Sequence, residues 1–187
     1  MDKVSIGNYL EEGSKIRNSL DIGKIEFLGN EMSKTFRNGK KLIIFGNGGS
    51  AADAQHISAE FVGRFEKERK SLPAMILHGN SSSVTAISND YSFDELYSRQ
   101  IDAFANEHDL ILALSTSGNS KNVINGISKA KEKGCNVFGI TGSNGGKMRE
   151  MLEPVKLLMI PSERTSFIQE CTIAVGHIVS KMVEDSI

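Results

Sequence analysis

The sequence is poor in the features that mark specialised classes of protein. No run among its 187 residues approaches the roughly 20 apolar positions that a membrane-spanning helix needs. The amino-terminal stretch MDKVSIGNYLEEGSKI is polar and amphipathic, without the apolar core of a signal peptide. These two absences point to a soluble chain with no membrane partner. Charge of one sign is also missing: 22 basic residues against 23 acidic ones leave a net charge of −1. No broad basic field exists to hold nucleic acid, so an anionic ligand must be held by local geometry. There are only two cysteines, Cys135 and Cys171. They lack the CxxC spacing of a metal site and lie in apolar stretches, which reads as reduced core thiols in a cytoplasmic protein. Three prolines and 39% hydrophobic residues argue against disorder. With no linker, repeat or low-complexity segment, residues 1–187 read as one domain.

What is present is alternation. Residues 4–19 and 22–38 have the spacing of two amphipathic helices broken near Ser19–Leu20, with Asp21 placed to cap the second. Five short apolar runs follow as buried-strand candidates: KLIIF (41–45), AMIL (74–77), DLILALS (109–115), NVFGIT (136–141) and KLLMI (156–160). Between and after them lie helical stretches at 50–64, 82–89, 93–105, 119–133, 147–152 and 163–185. Strand–helix alternation of this kind predicts an α/β fold, a three-layer αβα sandwich over a five-stranded parallel sheet. The two leading helices (1–38) precede an αβα core (39–187).

Two loops stand out. GNGGSAADAQHISAE (46–60) runs from a strand through a glycine turn into a helix, in outline a phosphate cradle in which backbone N–H groups and a helix amino end face an anion. It lacks the GxxxxGK[ST] of a nucleotide P-loop and the GxGxxG of a dinucleotide fold. STSGNS (115–120) repeats the logic with hydroxyls at the carboxyl end of the strongest strand, where open α/β sheets bind ligands. A third turn, TGSNGG (141–146), reads as ordinary turn chemistry. In the first helix of the core His56 and Glu60 are an i, i+4 pair on one face. In the last helix Gln169 and His177 fall about 80° apart around the axis.

These motifs together resemble the sedoheptulose-7-phosphate isomerase (phosphoheptose isomerase) family, which has the sugar isomerase, or SIS, fold. The resemblance rests on GNGGSAADAQHISAE, SNDYSF (88–93), STSGNS and IQE…H (168–177), and covers essentially the whole chain. It implies metal ligands at His56, Glu60, Gln169 and His177 holding one zinc per subunit. It implies sugar-phosphate contacts at Asn47, Gly48, Gly49, Glu60, Asn89, Asp90, Ser115, Thr116, Ser117, Ser120 and Gln169. Glu60 and His177 match the family's acid/base residues, and the assembly implied is a homotetramer with shared active sites.

The chemistry of these residue types agrees. Imidazole nitrogens with carboxylate and amide oxygens suit a thiolate-free zinc site. Aldose–ketose isomerisation needs a base to move a proton between C1 and C2, for which Glu60 is the natural carboxylate. His177 can exchange protons at the sugar oxygens, and zinc can polarise the carbonyl. The expected activity is therefore conversion of sedoheptulose 7-phosphate to D-glycero-D-manno-heptose 7-phosphate for heptose-containing glycoconjugates such as lipopolysaccharide or capsule. Two other readings share the fold: a non-catalytic regulator that binds the bacterial replication initiator, and another sugar-phosphate SIS enzyme. One position departs from the family pattern, Phe167 standing where arginine is common before IQE, and this bears on sugar preference. Arg64, Arg99, His78 and His108 read as solvated or incidental, and FEKERK (65–70) as a solvated connection.

Overall fold

The structure, a computed structural model, describes residues 2–187. Two helices lead, α1 (Lys3–Asn18) and α2 (Ile22–Arg37). Asp21 caps α2 as its position predicts, its carboxylate accepting from the backbone N–H of Lys24 at 3.1 Å. The core then alternates: β1 (Leu42–Gly46), α3 (Gly49–Val62), β2 (Ala74–Ile76), α4 (Ser81–Asp90), α5 (Leu96–Phe104), β3 (Leu110–Ser115), α6 (Lys121–Glu132), β4 (Asn136–Thr141), α7 (Met148–Met151), β5 (Leu157–Met159) and α8 (Thr165–Ser186). Short 3₁₀ turns at Phe93–Glu95 and Pro154–Lys156 precede α5 and β5.

The five strands are parallel in the order β2-β1-β3-β4-β5. Side chains alternate between two buried faces, as the period of a strand requires. Leu42, Ile44, Leu110, Leu112, Leu114, Phe138 and Ile140 pack under α2, α3 and α8. Ile43, Phe45, Ile111, Ala113 and Val137 pack against α5 and α6. This is the three-layer α/β sandwich, and burial on both faces explains why the strands read as unbroken apolar runs.

The edge strands are shorter than their apolar runs, because at Leu77 and Ile160 the chain leaves the ladder while the side chains stay buried. The helix expected from residue 93 starts as a 3₁₀ turn and becomes α-helical only at Leu96. Cys135 and Cys171 are free and buried, and burial pushes the Cys135 thiol up to about 11. Among the described residues no helix is long and apolar enough to cross a membrane.

The strand order places the switch point between β1 and β3. Connections leave in opposite directions there, and the loops at their carboxyl ends part to form a crevice. That crevice holds the two loops picked out by composition.

Candidate active site

The cleft at the switch point measures about 280 Å³ and is lined by Asn47, Gly48, Gly49, Ser115, Thr116, Ser120 and Gln169, together with Ser50, Leu114 and Thr165. On the β1 side, Gly48 turns the chain at φ 56° into α3, and no side chain caps the helix. Its amino end faces the cleft with its positive partial charge. On the β3 side, Ser120 occupies the cap position of α6 but its hydroxyl makes no capping bond. It lies instead 3.2 Å from the Ser115 hydroxyl, and both serines line the cleft; the Ser117 hydroxyl accepts the Asn119 N–H at 3.2 Å and is not part of that lining.

The Asn47 side chain is committed elsewhere. Its amide donates to Asn122 Oδ1 at 2.8 Å, while its Oδ1 accepts from Asn122 at 2.9 Å and from Tyr97 at 3.2 Å. Tyr97 also donates to the Gly46 carbonyl at 2.5 Å. Burial, partly offset by that bond, pushes its phenol up to about 12, so it remains a donor. Asn47 therefore meets the cleft through its backbone. Asn122 and Tyr97 stand 75 and 50 residues from Asn47 along the chain, and no local sequence signal announces them.

TGSNGG buttresses STSGNS. Gly118 sits at φ +65°, and a Cβ there would lie 2.2 Å from the Gly145 carbonyl oxygen, so the two loops touch backbone to backbone. Met148 N–H donates to Gly118 O at 3.1 Å and Gly142 N–H to Thr116 O at 3.0 Å. A second polar cleft of about 350 Å³, lined by Ser117, Ser143, Asn144 and Glu163 among others, adjoins the first through Thr116 and Thr165.

The second centre lies farther along α3. His56 Nε2 is 3.0 Å from Glu60 Oε1 and 3.4 Å from His177 Nε2 on α8, and the ligand-type atoms of all three lie within 4.8 Å of one another. The helices come this close because Gly176 faces Ile57; a Cβ at position 176 would lie 2.5 Å from Ile57 Cγ1.

A metal bound at 2.0–2.1 Å by tetrahedral ligands separates those ligands by about 3.3 Å. The imidazole–imidazole spacing matches that edge, and two histidine nitrogens with a carboxylate oxygen are a donor set that suits zinc. His56, Glu60 and His177 therefore fit a metal.

The structure does not bring Gln169 to them within one chain. It stands about 12 Å from His177 along α8, against Gly49, where a Cβ would lie 2.3 Å from its Nε2. Asn89 and Asp90 end α4, are exposed, and bond to each other at 2.8 Å; neither lines the cleft.

Asp53 is a residue that sequence reasoning missed, although the i, i+3, i+7 spacing of Asp53, His56 and Glu60 marks one stripe of α3. Its Oδ2 is buried without a hydrogen-bond partner. Burial, countered in part by His56, pushes its carboxyl up to about 6. His78 is not incidental: it is half-buried, with Nε2 3.0 Å from the Ala51 carbonyl in the first turn of α3, and burial, opposed by that bond, holds its pKa below the usual imidazole range. His108 is exposed beside Glu107. Arg99 stacks over Tyr91 at 3.8 Å, and Arg64 is exposed, 3.8 Å from Glu68.

Phe167 is fully buried against Tyr9 of α1, with ring centroids 4.6 Å apart, and the Arg164 guanidinium lies over both rings, 4.4 Å from Phe167 and 5.1 Å from Tyr9. It docks the leading helix instead of contacting the cleft.

The connection at 65–70 is also more than solvated. Glu184, buried on α8, accepts from the backbone N–H groups of Phe65 and Glu66 at 3.0–3.2 Å. Its burial alone would raise the carboxyl, but these N–H bonds and the Arg69 charge outweigh that and hold it below the usual range.

The SIS domain family profile matches residues 8–142. A probable phosphoheptose isomerase from Thermoplasma volcanium is 49% identical over 181 residues, covering 97% of this chain and 91% of that protein. The structure of a phosphoheptose isomerase from Francisella tularensis superposes with a TM-score of 0.93 at 30% identity, covering 99% of this chain and all of that one. That of a phosphoheptose isomerase from Neisseria gonorrhoeae gives 0.91 at 34% identity, with 98% of each chain covered.

Proposed function

Since the chain belongs to the phosphoheptose isomerases of the SIS-domain family, we propose that it interconverts sedoheptulose 7-phosphate and D-glycero-D-manno-heptose 7-phosphate, supplying heptose to glycoconjugates such as lipopolysaccharide or capsule. The observation that carries this reading is the convergence of Glu60, His56 and His177 on one point, beside an uncharged, hydroxyl-lined cleft at the switch point.

The phosphate sits in that cleft. The Ser115 and Ser120 hydroxyls, 3.2 Å apart, and the amino end of α3 hold it without a basic side chain. From Gly49 to His56 the helix advances about 10 Å on one stripe. That distance is of the order of an extended seven-carbon sugar phosphate, so phosphate grip and reacting carbons can lie at its two ends. Glu60 takes the proton from C1 or C2 and returns it to the neighbouring carbon, and His177 exchanges protons at the two oxygens.

His56, Glu60 and His177 would hold the zinc. When bound, it supplies Lewis-acid polarisation of the carbonyl. Three protein ligands and one open position are the pattern of a catalytic zinc, and Gln169 joins the set only if a second copy provides it.

A homotetramer is supported by surfaces that one chain leaves bare. Val4 and Leu10 of α1 are 69% and 67% exposed, and α4, which carries Asn89 and Asp90, buries no residue at all. A partner that covered α4 would bring Asn89 and Asp90 to a substrate. Two free buried thiols suit a reducing, cytoplasmic compartment. A non-catalytic regulator would have no use for the clustered imidazoles and carboxylate.

The reaction is tested by incubating the protein with sedoheptulose 7-phosphate in deuterium oxide and following the sugar by NMR. Aldoheptose phosphate should accumulate with solvent deuterium at the carbon beside the carbonyl. Neither product nor deuterium, in protein that binds the ligand, would overturn the assignment.

A further inference from the structure

The acid and the base sit on different helices, and something must fix their separation. Gly176 allows α3 and α8 to approach but does not lock them. The segment joining α3 to β2 supplies a lock. Arg69 donates through Nη2 to the Glu60 carbonyl at 2.5 Å and through Nη1 to the Phe61 carbonyl at 2.9 Å, satisfying the last turn of the helix that carries Glu60.

The same guanidinium, with its side chain 10% exposed, lies 3.7 Å from Glu184, whose side chain is 1% exposed. Glu184 is on α8, two turns beyond His177. Because it also accepts the Phe65 and Glu66 N–H groups, it pins the connecting strap over the carboxyl half of α8. Lys181–Glu66 at 2.9 Å and the Lys67–Asp185 contact add exposed stitches, worth little by themselves. The strap places one side chain on the proton-transfer apparatus: the Phe65 ring stacks on His177 with centroids 5.8 Å apart and planes at 28°.

We propose that Arg69, Glu184 and Phe65 are positioning residues for the isomerisation: the buried Arg69–Glu184 pair ties the end of the Glu60 helix to the His177 helix and holds Phe65 as a backstop that fixes the His177 ring. This rests on the assignment of Glu60 and His177 as the acid/base pair. Fixed geometry matters because a displacement of about 1 Å at a reacting group can cost on the order of 100-fold in rate. The phosphate cleft lies at the other end of α3 and is untouched by the strap, so the two kinetic parameters should separate.

Phe65→Leu, Phe65→Tyr and Glu184→Gln are assayed with sedoheptulose 7-phosphate, alongside Glu60→Gln and thermal unfolding of each. Phe65→Leu should lower kcat about tenfold with KM within about twofold of wild type, while Phe65→Tyr, which keeps the ring, restores most of the rate. Glu184→Gln should lower kcat similarly, and combining it with Phe65→Leu should cost less than the product of the two, as coupled residues do. Glu184 is buried and its variant can fail on folding grounds alone; Phe65 is only half-buried, so its variants carry the test in that event. Wild-type kcat in folded Phe65→Leu, or a fall in kcat matched by an equal rise in KM, overturns the proposal. Glu60→Gln tests the acid/base assignment separately: if it is inactive while Phe65→Leu is unimpaired, the positioning role alone fails.

Discussion

His56 on α3 and His177 on α8 meet Nε2 to Nε2 at 3.4 Å, and they meet because the residue before His177 has no side chain. A Cβ at Gly176 would lie 2.5 Å from Ile57 Cγ1. Gly176→Ala should therefore overpack the α3–α8 contact, at a cost of about 1–3 kcal/mol, and part the two imidazoles. Lowered thermal stability with kcat down about tenfold or more is expected. Ile57→Val, which removes Cδ1, the next atom in the way at 2.8 Å, should restore part of both. Full activity in Gly176→Ala would mean that the close approach is not needed.

The donor set predicts about one zinc per subunit in purified protein. His56→Ala should reduce bound zinc and turnover together while leaving the oligomer intact, because His56 has no assigned proton transfer. Metal analysis and size-exclusion chromatography read the two effects. Active enzyme without zinc, indifferent to chelators, would leave Glu60 and His177 as a metal-free pair and make His56 structural.

Ser115 and Ser120 point their hydroxyls at each other across the cleft. Replacing both with alanine should raise KM more than it lowers kcat, since a distant phosphate grip acts alike on ground and transition states. An unchanged KM in steady-state kinetics would contradict a phosphate-binding role for these two hydroxyls.

Asp53 gives a pH signature. Its carboxyl is pushed by burial from the ordinary 3.8 up to about 6, so the folded chain holds a proton that the unfolded chain releases. Burying the ionised form costs stability above about pH 6, and that cost is relieved as pH falls through 6 toward 4. Asp53→Asn carries no charge at either pH, so it should exceed wild type in stability near pH 7.5 and lose that advantage near pH 4. Urea unfolding at both values measures it; an equal difference at the two would contradict the raised pKa.

Much of this architecture is legible without coordinates because its causes are local. The apolar runs name all five strands, Asp21 names its cap, and the strand–loop–helix order places GNGG and STSGNS at the carboxyl ends of strands. What escaped depends on pairs distant in sequence. Nothing near Asn47 announces that Asn122 and Tyr97 take its side chain, and nothing in FEKERK announces that Glu184 pins its backbone. Phe167 stood out as a departure in sequence, but only packing against Tyr9 shows that it docks α1. The family resemblance groups Gln169 with His56, Glu60 and His177, and helical phase does not separate it from them, because phase ignores rise. Gln169 and His177 share a flank of α8 yet lie about 12 Å apart along it.

The central claim is that Glu60 moves the proton, and Glu60→Gln tests it most directly. The variant keeps the shape of the side chain and leaves the phosphate cleft untouched. Turnover of sedoheptulose 7-phosphate should fall by a factor of order 10²–10⁴, and deuterium exchange from solvent into bound sugar should be lost with it, while the ligand still binds. Near-wild-type turnover in this variant would contradict the account and remove Glu60 from the mechanism.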